Sequence, residues 1–255
     1  MRREFVAGYV GAIGSRSSYC QTETLRDRIQ EKQEVHLSLT LHFHPLSSFC
    51  QKVLTALYEN ATPFKPQMVE LFDPAQRAAF LKLWPIGKFP VLRDEARDRT
   101  VPESSIIIDY LAQHYPGPVN LIPSDPEQAR RVRARDRFID LHVHMQVQKI
   151  VGDTLRPEGQ HDPHGVTEAR ALLQTALGVI DRDIAAAPWA AGETFTLADC
   201  AAAPALFYAN EVAPFGATHR NVAAYFERLM ARPSFARAVE EAKPYFHMFP
   251  KDKLS

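Results

Sequence analysis

Two serines and a cysteine stand together where an extended segment turns into a helix. Ser47, Ser48 and Cys50 follow Pro45, which ends a strand pattern, and apolar residues at helical spacing come after them. A serine favours the N-cap position, where its hydroxyl accepts a backbone N–H bond, so capping alone explains the two serines. The same helix N-terminus also stabilises a thiolate. The pattern is compatible with a plain cap and with a site that binds a sulfur anion.

The cysteines and histidines give little support to a disulfide framework or a metal site. Cys20, Cys50 and Cys200 are odd in number and irregular in spacing, unlike disulfide or zinc patterns. Residues two apart on a strand share a face, so His42 and His44 could converge, but no third ligand is near them in sequence. We therefore expect no metal.

The residues around these serines predict a small mixed unit of strands and helices over 38–118. Alternating apolar residues from Leu39 to Phe43 indicate a first strand, and a helix follows the serines. A strand over 64–71, a helix over 74–83, a hairpin over 89–101 and a helix over 103–114 complete the unit. A strand–helix–strand order requires a parallel pair and a crossover connection.

The rest of the chain predicts a linker and an all-helical unit. Four prolines and a glycine between 116 and 126 indicate a linker, placed at 119–126, and residues 127–250 carry helical patterns throughout. The segment 197–210 is apolar nearly all round, as expected of a buried central helix. Residues 1–37 lack this periodicity and predict a disordered or wrongly assigned tail rather than an export signal.

Charge and hydropathy exclude several functional classes. Thirty basic side chains balance thirty acidic ones, so no electrostatic attraction to nucleic acid or to an anionic membrane is expected. No apolar run approaches the roughly 20 residues of a membrane span. These features predict a cytoplasmic protein without nucleic-acid or membrane partners.

Four short motifs resemble the cytosolic glutathione S-transferase superfamily, in particular its bacterial, theta- and zeta-like members with an active-site serine. They are His44-Pro45-Leu46-Ser47-Ser48-Phe49-Cys50-Gln51-Lys52-Val53, Gly87-Lys88-Phe89-Pro90-Val91-Leu92, Pro102-Glu103-Ser104-Ser105-Ile106 and Thr196-Leu197-Ala198-Asp199. The resemblance covers about residues 39–250. It implies an α/β plus all-α fold, with a thioredoxin-like N-terminal domain followed by an all-helical C-terminal domain.

The resemblance implies a catalytic serine at position 47. In the family a serine six residues before the helix valine, here Val53, donates a hydrogen bond to the glutathione sulfur. Alignment with the Cys-x-x-Cys turn of glutaredoxins also places Ser47 at the position of the nucleophilic cysteine. Ser48 and Cys50 remain the alternatives.

The other motifs imply where glutathione, the co-substrate, would bind. Phe89 would pair through its backbone with the cysteinyl group and precede a cis Pro90. Lys88 would lie near the glycyl carboxylate, or would simply be a solvated lysine. Glu103 would accept from the γ-glutamyl ammonium, and Ser104 with its helix N-terminus would receive the carboxylate. The Thr196-x-x-Asp199 motif is a capping box, which serves folding.

The resemblance further implies conjugation of the glutathione thiolate to a small hydrophobic electrophile, by a homodimer and without a metal. The electrophile would lie against residues 137–148, and an aromatic tail with Tyr245, Phe246, Met248 and Phe249 either caps this pocket or packs on the core. A glutathione-dependent thiol–disulfide reductase or peroxidase and a non-catalytic binding module are the alternative functions.

Overall fold

The N-terminal part of the molecule alternates strands and helices. The computed structural model describes residues 38–251, so the prediction of a disordered or misassigned tail over 1–37 lies outside the described residues. The elements are β1 (Leu39–Phe43), α1 (Ser48–Glu59), β2 (Lys65–Met68), α2 (Pro74–Leu83), β3 (Val91–Asp94), β4 (Arg99–Pro102) and α3 (Ser104–His114). Their order follows the predicted one, with β2 shorter than expected.

The four strands form one mixed sheet in the order β2-β1-β3-β4. β1 runs parallel to β2 and antiparallel to β3, with Leu41 opposite Pro66 on one side and Leu92 on the other. Leu39, Leu41 and Phe43 are buried, as period-two alternation requires of an interior strand that turns one face to the main core. The predicted thioredoxin-like N-terminal domain is confirmed.

The remainder of the described chain is helical, which confirms the second half of the predicted fold class. The elements are α4 (Pro126–Ile139), a π-helical turn (Asp140–His144), α5 (Met145–Thr154), α6 (Pro163–Ile184), α7 (Leu197–Val212), α8 (Arg220–Met230), α9 (Pro233–Ala242) and a 3₁₀ turn (Lys243–Met248). The helical stretch over 126–154 is thus interrupted by a π turn. Within residues 38–251, no helix is both long and apolar enough to cross a membrane.

The predicted capping box at the start of α7 is present. The Thr196 backbone N–H donates to Asp199 Oδ2 at 2.8 Å, and the Tyr225 hydroxyl donates to Asp199 Oδ1 at 2.6 Å. Burial raises the pKa of this carboxyl, while its hydrogen bonds with Tyr225, Ala190 and Thr196 act in the opposite direction. The box therefore fixes the first turn of the central helix, whose inner face supports α1.

A buried lysine joins the two domains directly beneath the site described below. Lys52 of α1 is fully buried, and its Nζ lies 2.6 Å from Asp136 Oδ1 of α4 and 2.7 Å from Asp140 Oδ2 of the π turn. The same ammonium donates to Ser105 Oγ of α3 at 2.8 Å. Burial raises the pKa of Asp136, and Lys52 opposes that rise. Three helices from both domains therefore converge on one side chain.

Replacement of this lysine should destabilise the fold severely. In Lys52→Met two buried carboxylates lose their counter-charge, so we expect the free energy of unfolding to fall by about 3–5 kcal/mol. Urea denaturation at neutral pH measures it. The deficit should shrink as the pH falls toward 4, because protonation removes the uncompensated charges.

Lys82→Met is the matched control, because Lys82 is exposed on α2 and forms no ion pair with any described residue. We expect the free energy of unfolding of this variant to change by no more than about 0.5 kcal/mol. Equal losses for the two variants would contradict a structural role for the Lys52 cluster.

Candidate active site

A cavity of about 1060 Å³ opens between the sheet domain and the helical domain. Six residues singled out in the sequence line it together: Ser47, Lys88, Phe89, Pro90, Glu103 and Ser104. The start of α1, the loop before β3 and the start of α3 supply these residues. The opposite wall comes from α4, the π turn and α5. The alternatives Ser48 and Cys50 are not among its lining residues.

Ser47 both caps α1 and lines the cavity, the two roles between which the sequence did not decide. It is the N-cap of α1, and its Oγ accepts from the Cys50 backbone N–H over a long 3.4 Å. Because the hydroxyl acts as an acceptor in this contact, its proton remains available for donation into the cavity. A cap and a donor to a sulfur anion are therefore compatible roles for one side chain.

One side chain from the helical domain and one from α1 hold the turn that precedes Ser47. The Tyr208 hydroxyl of α7 donates to the Leu46 carbonyl at 2.7 Å, and Gln51 Nε2 donates to the Pro45 carbonyl at 2.9 Å. Gln51 Nε2 also lies 3.3 Å from the Tyr208 hydroxyl. These contacts fix the backbone from which the Ser47 side chain projects. Sequence analysis missed Tyr208, because nothing in its own helix indicates a partner more than 150 residues away.

The loop before β3 adopts the conformation expected of it. The Phe89–Pro90 peptide bond is cis, which confirms the expectation drawn from the family resemblance. Gly87 has φ +69°, and a Cβ there would lie 2.9 Å from Leu81 Cδ2, so this position favours glycine. Lys88 is exposed and has no ion pair within the described residues.

Glu103 precedes α3 in an unusual backbone conformation. Its φ of 69° and ψ of 120° place a non-glycine residue at positive φ, an arrangement that costs energy and often marks a functional site. The carboxylate makes no capping hydrogen bond. Ser104 is buried yet lines the cavity as the first residue of the helix. An acidic group, a hydroxyl and a helix N-terminus thus stand side by side.

Both domains of this chain match family models. Residues 41–119 match the model of the glutathione S-transferase N-terminal domain, and residues 147–233 match that of the C-terminal domain. A glutathione S-transferase from Zea mays is 32% identical over 209 residues, which cover 79% of this chain and 93% of the relative. This chain belongs to the glutathione S-transferase family.

Other transferases agree with this assignment. One from Pseudomonas putida is 31% identical over 63% of this chain and 70% of its own length. A transferase from Methylobacillus flagellatus, solved with glutathione bound, superposes with a TM-score of 0.72 at 27% identity and covers 79% of this chain and 98% of its own. A transferase from Methylobacterium radiotolerans, in complex with glutathione sulfonate, superposes with a TM-score of 0.70 at 29% identity. The match covers 79% of this chain and 94% of that one.

The wall of the transferase cavity opposite Ser47 carries both apolar and polar side chains. Arg137, Leu141, Met145 and Gln148, all within the stretch 137–148, line it. On the sheet-domain side Phe49 adds an aromatic ring, which meets the His144 ring edge-on at 4.5 Å. The π turn thus presents Leu141 to the cavity, together with Asp140, which pairs with Lys52.

The aromatic tail packs on the helical core rather than over the cavity. The Phe246 ring stacks on Phe207 at 5.8 Å, and the Phe249 ring lies 5.4 Å from that of Tyr208. None of the four tail residues considered in the sequence lines the cavity. Of the two interpretations of this tail, packing on the core is the one that the geometry supports.

Cys50 has the environment of a core residue. It is completely buried, and burial raises the pKa of its thiol to about 12, against smaller opposite effects of hydrogen bonds with Ser47 and His44. The thiolate is the nucleophilic form of cysteine, so almost none is present at neutral pH. Ser48, the first residue of α1, is half-buried and off the cavity lining.

Thiol labelling should reflect this burial. In a Cys20→Ser background, we expect Cys50 and the equally buried Cys200 to react with iodoacetamide at least about a hundredfold more slowly in the native protein than in guanidinium. Mass spectrometry of timed samples gives both rates. Rapid labelling of Cys50 in the native state would restore it as a candidate nucleophile.

Proposed function

We propose that the chain binds glutathione in this cavity and conjugates its thiolate to a small hydrophobic electrophile. The observation that carries the proposal is that the Ser47 hydroxyl and the Glu103–Ser104 helix start line one cavity. A serine hydroxyl at a helix N-terminus suits a sulfur anion, and an acceptor beside a donor suits an amino-acid end. The family membership of both domains supports the same activity.

Glutathione would be held mainly by its charges, because the tripeptide has no large apolar group. The Glu103 carboxylate is free of any capping bond and would accept from the γ-glutamyl ammonium. Ser104 and the free N–H groups at the start of α3 would receive the neighbouring carboxylate. The Phe89 backbone would pair with the cysteinyl group, and Lys88 would lie near the glycyl carboxylate.

Ser47 and its helix can supply most of the thiol activation. A free thiol has a pKa near 8.5, and lowering it by about two units costs ~2.7 kcal/mol. A hydrogen bond to a charged group contributes ~1.5–3 kcal/mol, and a helix N-terminus adds ~0.3–1 kcal/mol. Together these two contributions can supply most of the ~2.7 kcal/mol needed to ionise the thiol, so no general base is required. The thiolate would then attack an electrophile bound against Phe49, Leu141 and Met145.

The alternative activities have less support. A glutaredoxin-like reductase attacks with a cysteine at the first position of the turn, and that position holds Ser47 while Cys50 is buried. A non-catalytic binding module would be retained on a glutathione column but would not conjugate glutathione to chlorodinitrobenzene. Retention together with turnover supports a transferase and contradicts the binding module.

We also propose a homodimer, on the analogy with the family alone. Light scattering at micromolar protein concentration should give about twice the chain mass of 28.8 kDa. A monomer mass would contradict this proposal without affecting the assignment of the cavity.

Loss of the Ser47 hydroxyl should impair conjugation through the thiol pKa. For Ser47→Ala we expect the rate with chlorodinitrobenzene at neutral pH to fall about tenfold or more. The loss should lessen at higher pH, because the bound thiol then ionises without help. A pH profile of kcat/KM measures both effects.

Ser48→Ala is the matched control for this experiment, since Ser48 lies one residue away and off the cavity lining. The assignment is wrong if Ser48→Ala causes the loss and Ser47→Ala is silent.

The two residues at the start of α3 should contribute unequally to glutathione affinity. Charge-assisted bonds are about twice as strong as neutral ones, so Glu103→Ala should lose ~1.5–3 kcal/mol of binding free energy and Ser104→Ala nearer ~1 kcal/mol. Isothermal titration with glutathione measures these values, and thermal melting verifies that each variant folds.

Glu168→Ala on α6 serves as the control, because Glu168 is exposed and has no ion pair within the described residues. It should bind glutathione as the wild type does. Unchanged affinity in Glu103→Ala would remove the main support for the γ-glutamyl site.

A further inference from the structure

One cation on the wall opposite Ser47 is not accounted for by the fold or by glutathione. Arg137 is exposed near the end of α4 and lines the cavity, with Leu141 and Met145 beyond it along the same wall. Among the described residues it takes part in no ion pair, unlike Arg130, Arg133 and Arg135 on the same helix. The glutathione contacts proposed above use the start of α1, the loop before β3 and the start of α3, and none of them uses Arg137.

The other charges along this wall are already matched. Arg130 pairs with Glu127 at 2.6 Å, and Arg133 pairs with Asp109 across to α3, also at 2.6 Å. Asp136 and Asp140, the acidic neighbours of Arg137 in sequence, also line the cavity, but both are buried and pair with the Lys52 ammonium. Of the charged residues of α4 and the π turn that line the cavity, Arg137 is therefore the one without an ion-pair partner among the described residues.

We propose that Arg137 makes this enzyme selective for electrophiles that carry a carboxylate away from the reacting carbon. The inference rests on the proposed function, because it assigns the acceptor substrate of the same cavity. A guanidinium binds a carboxylate with two parallel hydrogen bonds. Leu141 and Met145, 39% and 43% exposed, offer apolar surface to the body of such a molecule.

Electrostatics explains why an anionic acceptor needs this arginine. Glutathione with an ionised thiol carries two carboxylates, one ammonium and the thiolate, so a second anion is repelled from the cavity. A cation at the far wall offsets that repulsion and holds the acceptor with its charged end away from the sulfur. A neutral electrophile gains little from it.

The reaction with a suitable probe is a simple substitution. In a chloronitrobenzoate with chlorine para to the carboxylate and ortho to the nitro group, the glutathione sulfur bonds to the ring carbon that bears chlorine. The carbon–chlorine bond then breaks, chloride leaves, and the proton of the original thiol passes to water. No oxidant or reductant takes part.

The test compares this benzoate with the corresponding benzamide, which has the same shape and leaving group but no charge. For the wild type and each variant, kcat/KM is measured with both compounds, and their ratio is the readout. In Arg137→Gln we expect the benzoate-to-benzamide ratio to fall about tenfold, mostly through a higher KM for the benzoate. Arg137→Lys, which keeps the charge and loses the planar fork, should recover part of the ratio.

Arg131→Gln is the matched control, since Arg131 is exposed on the same helix and does not line the cavity. Its ratio should equal that of the wild type. Equal ratios for Arg137→Gln and the wild type, or an equal fall in Arg131→Gln, would overturn the inference. So would a wild type that conjugates the benzamide but not the benzoate, and that result would leave the proposed function standing. A wild type that binds no glutathione and conjugates neither compound would overturn both.

Discussion

The buried ammonium of Lys52 is the interaction on which the geometry of the cavity depends. It joins α1, which begins just after Ser47, to Ser105 of α3 and to Asp136 and Asp140 on the opposite wall. The three helices that frame the cavity therefore meet at one side chain. A displacement of any one of them would separate a buried charge from its partner, which is costly in a low-dielectric interior. This constraint makes the distance between the serine turn and the acceptor wall a fixed property of the fold.

The cluster satisfies its lysine more completely than its carboxylates, since the buried Asp140 Oδ1 has no hydrogen-bond partner among the described residues. One lysine offers three donors, and the two carboxylates and Ser105 use them. Burial still raises the pKa of Asp136, so the attraction of Lys52 does not remove the whole cost of desolvation. The same burial lowers the pKa of His144 well below its usual value, and the nearby Lys52 ammonium acts in the same direction. His144 is therefore neutral at physiological pH, and it packs against Phe49 as an aromatic ring rather than as a cation.

The sequence predicts local features of this molecule better than those that depend on distant contacts. Strand alternation, the serine cap and the capping box at Thr196 each follow from a few neighbouring residues. The family resemblance adds the cis Pro90, which no local preference would justify. The role of Lys52 is not predicted, because no pattern in α1 indicates that two carboxylates 84 and 88 residues later enclose it. The π turn and the Tyr208 contact to Leu46 were missed for the same reason.

Two helix N-termini face the cavity, and their electrostatic effects differ because of the residues placed on them. At the start of α1 the polar group is the neutral Ser47 hydroxyl, so the partial positive charge of the helix acts on a ligand undiminished. At the start of α3 Glu103 adds a full negative charge beside the same kind of terminus, which suits a ligand end carrying both an ammonium and a carboxylate. The positive φ of Glu103 has an energetic cost that the surrounding fold has to sustain.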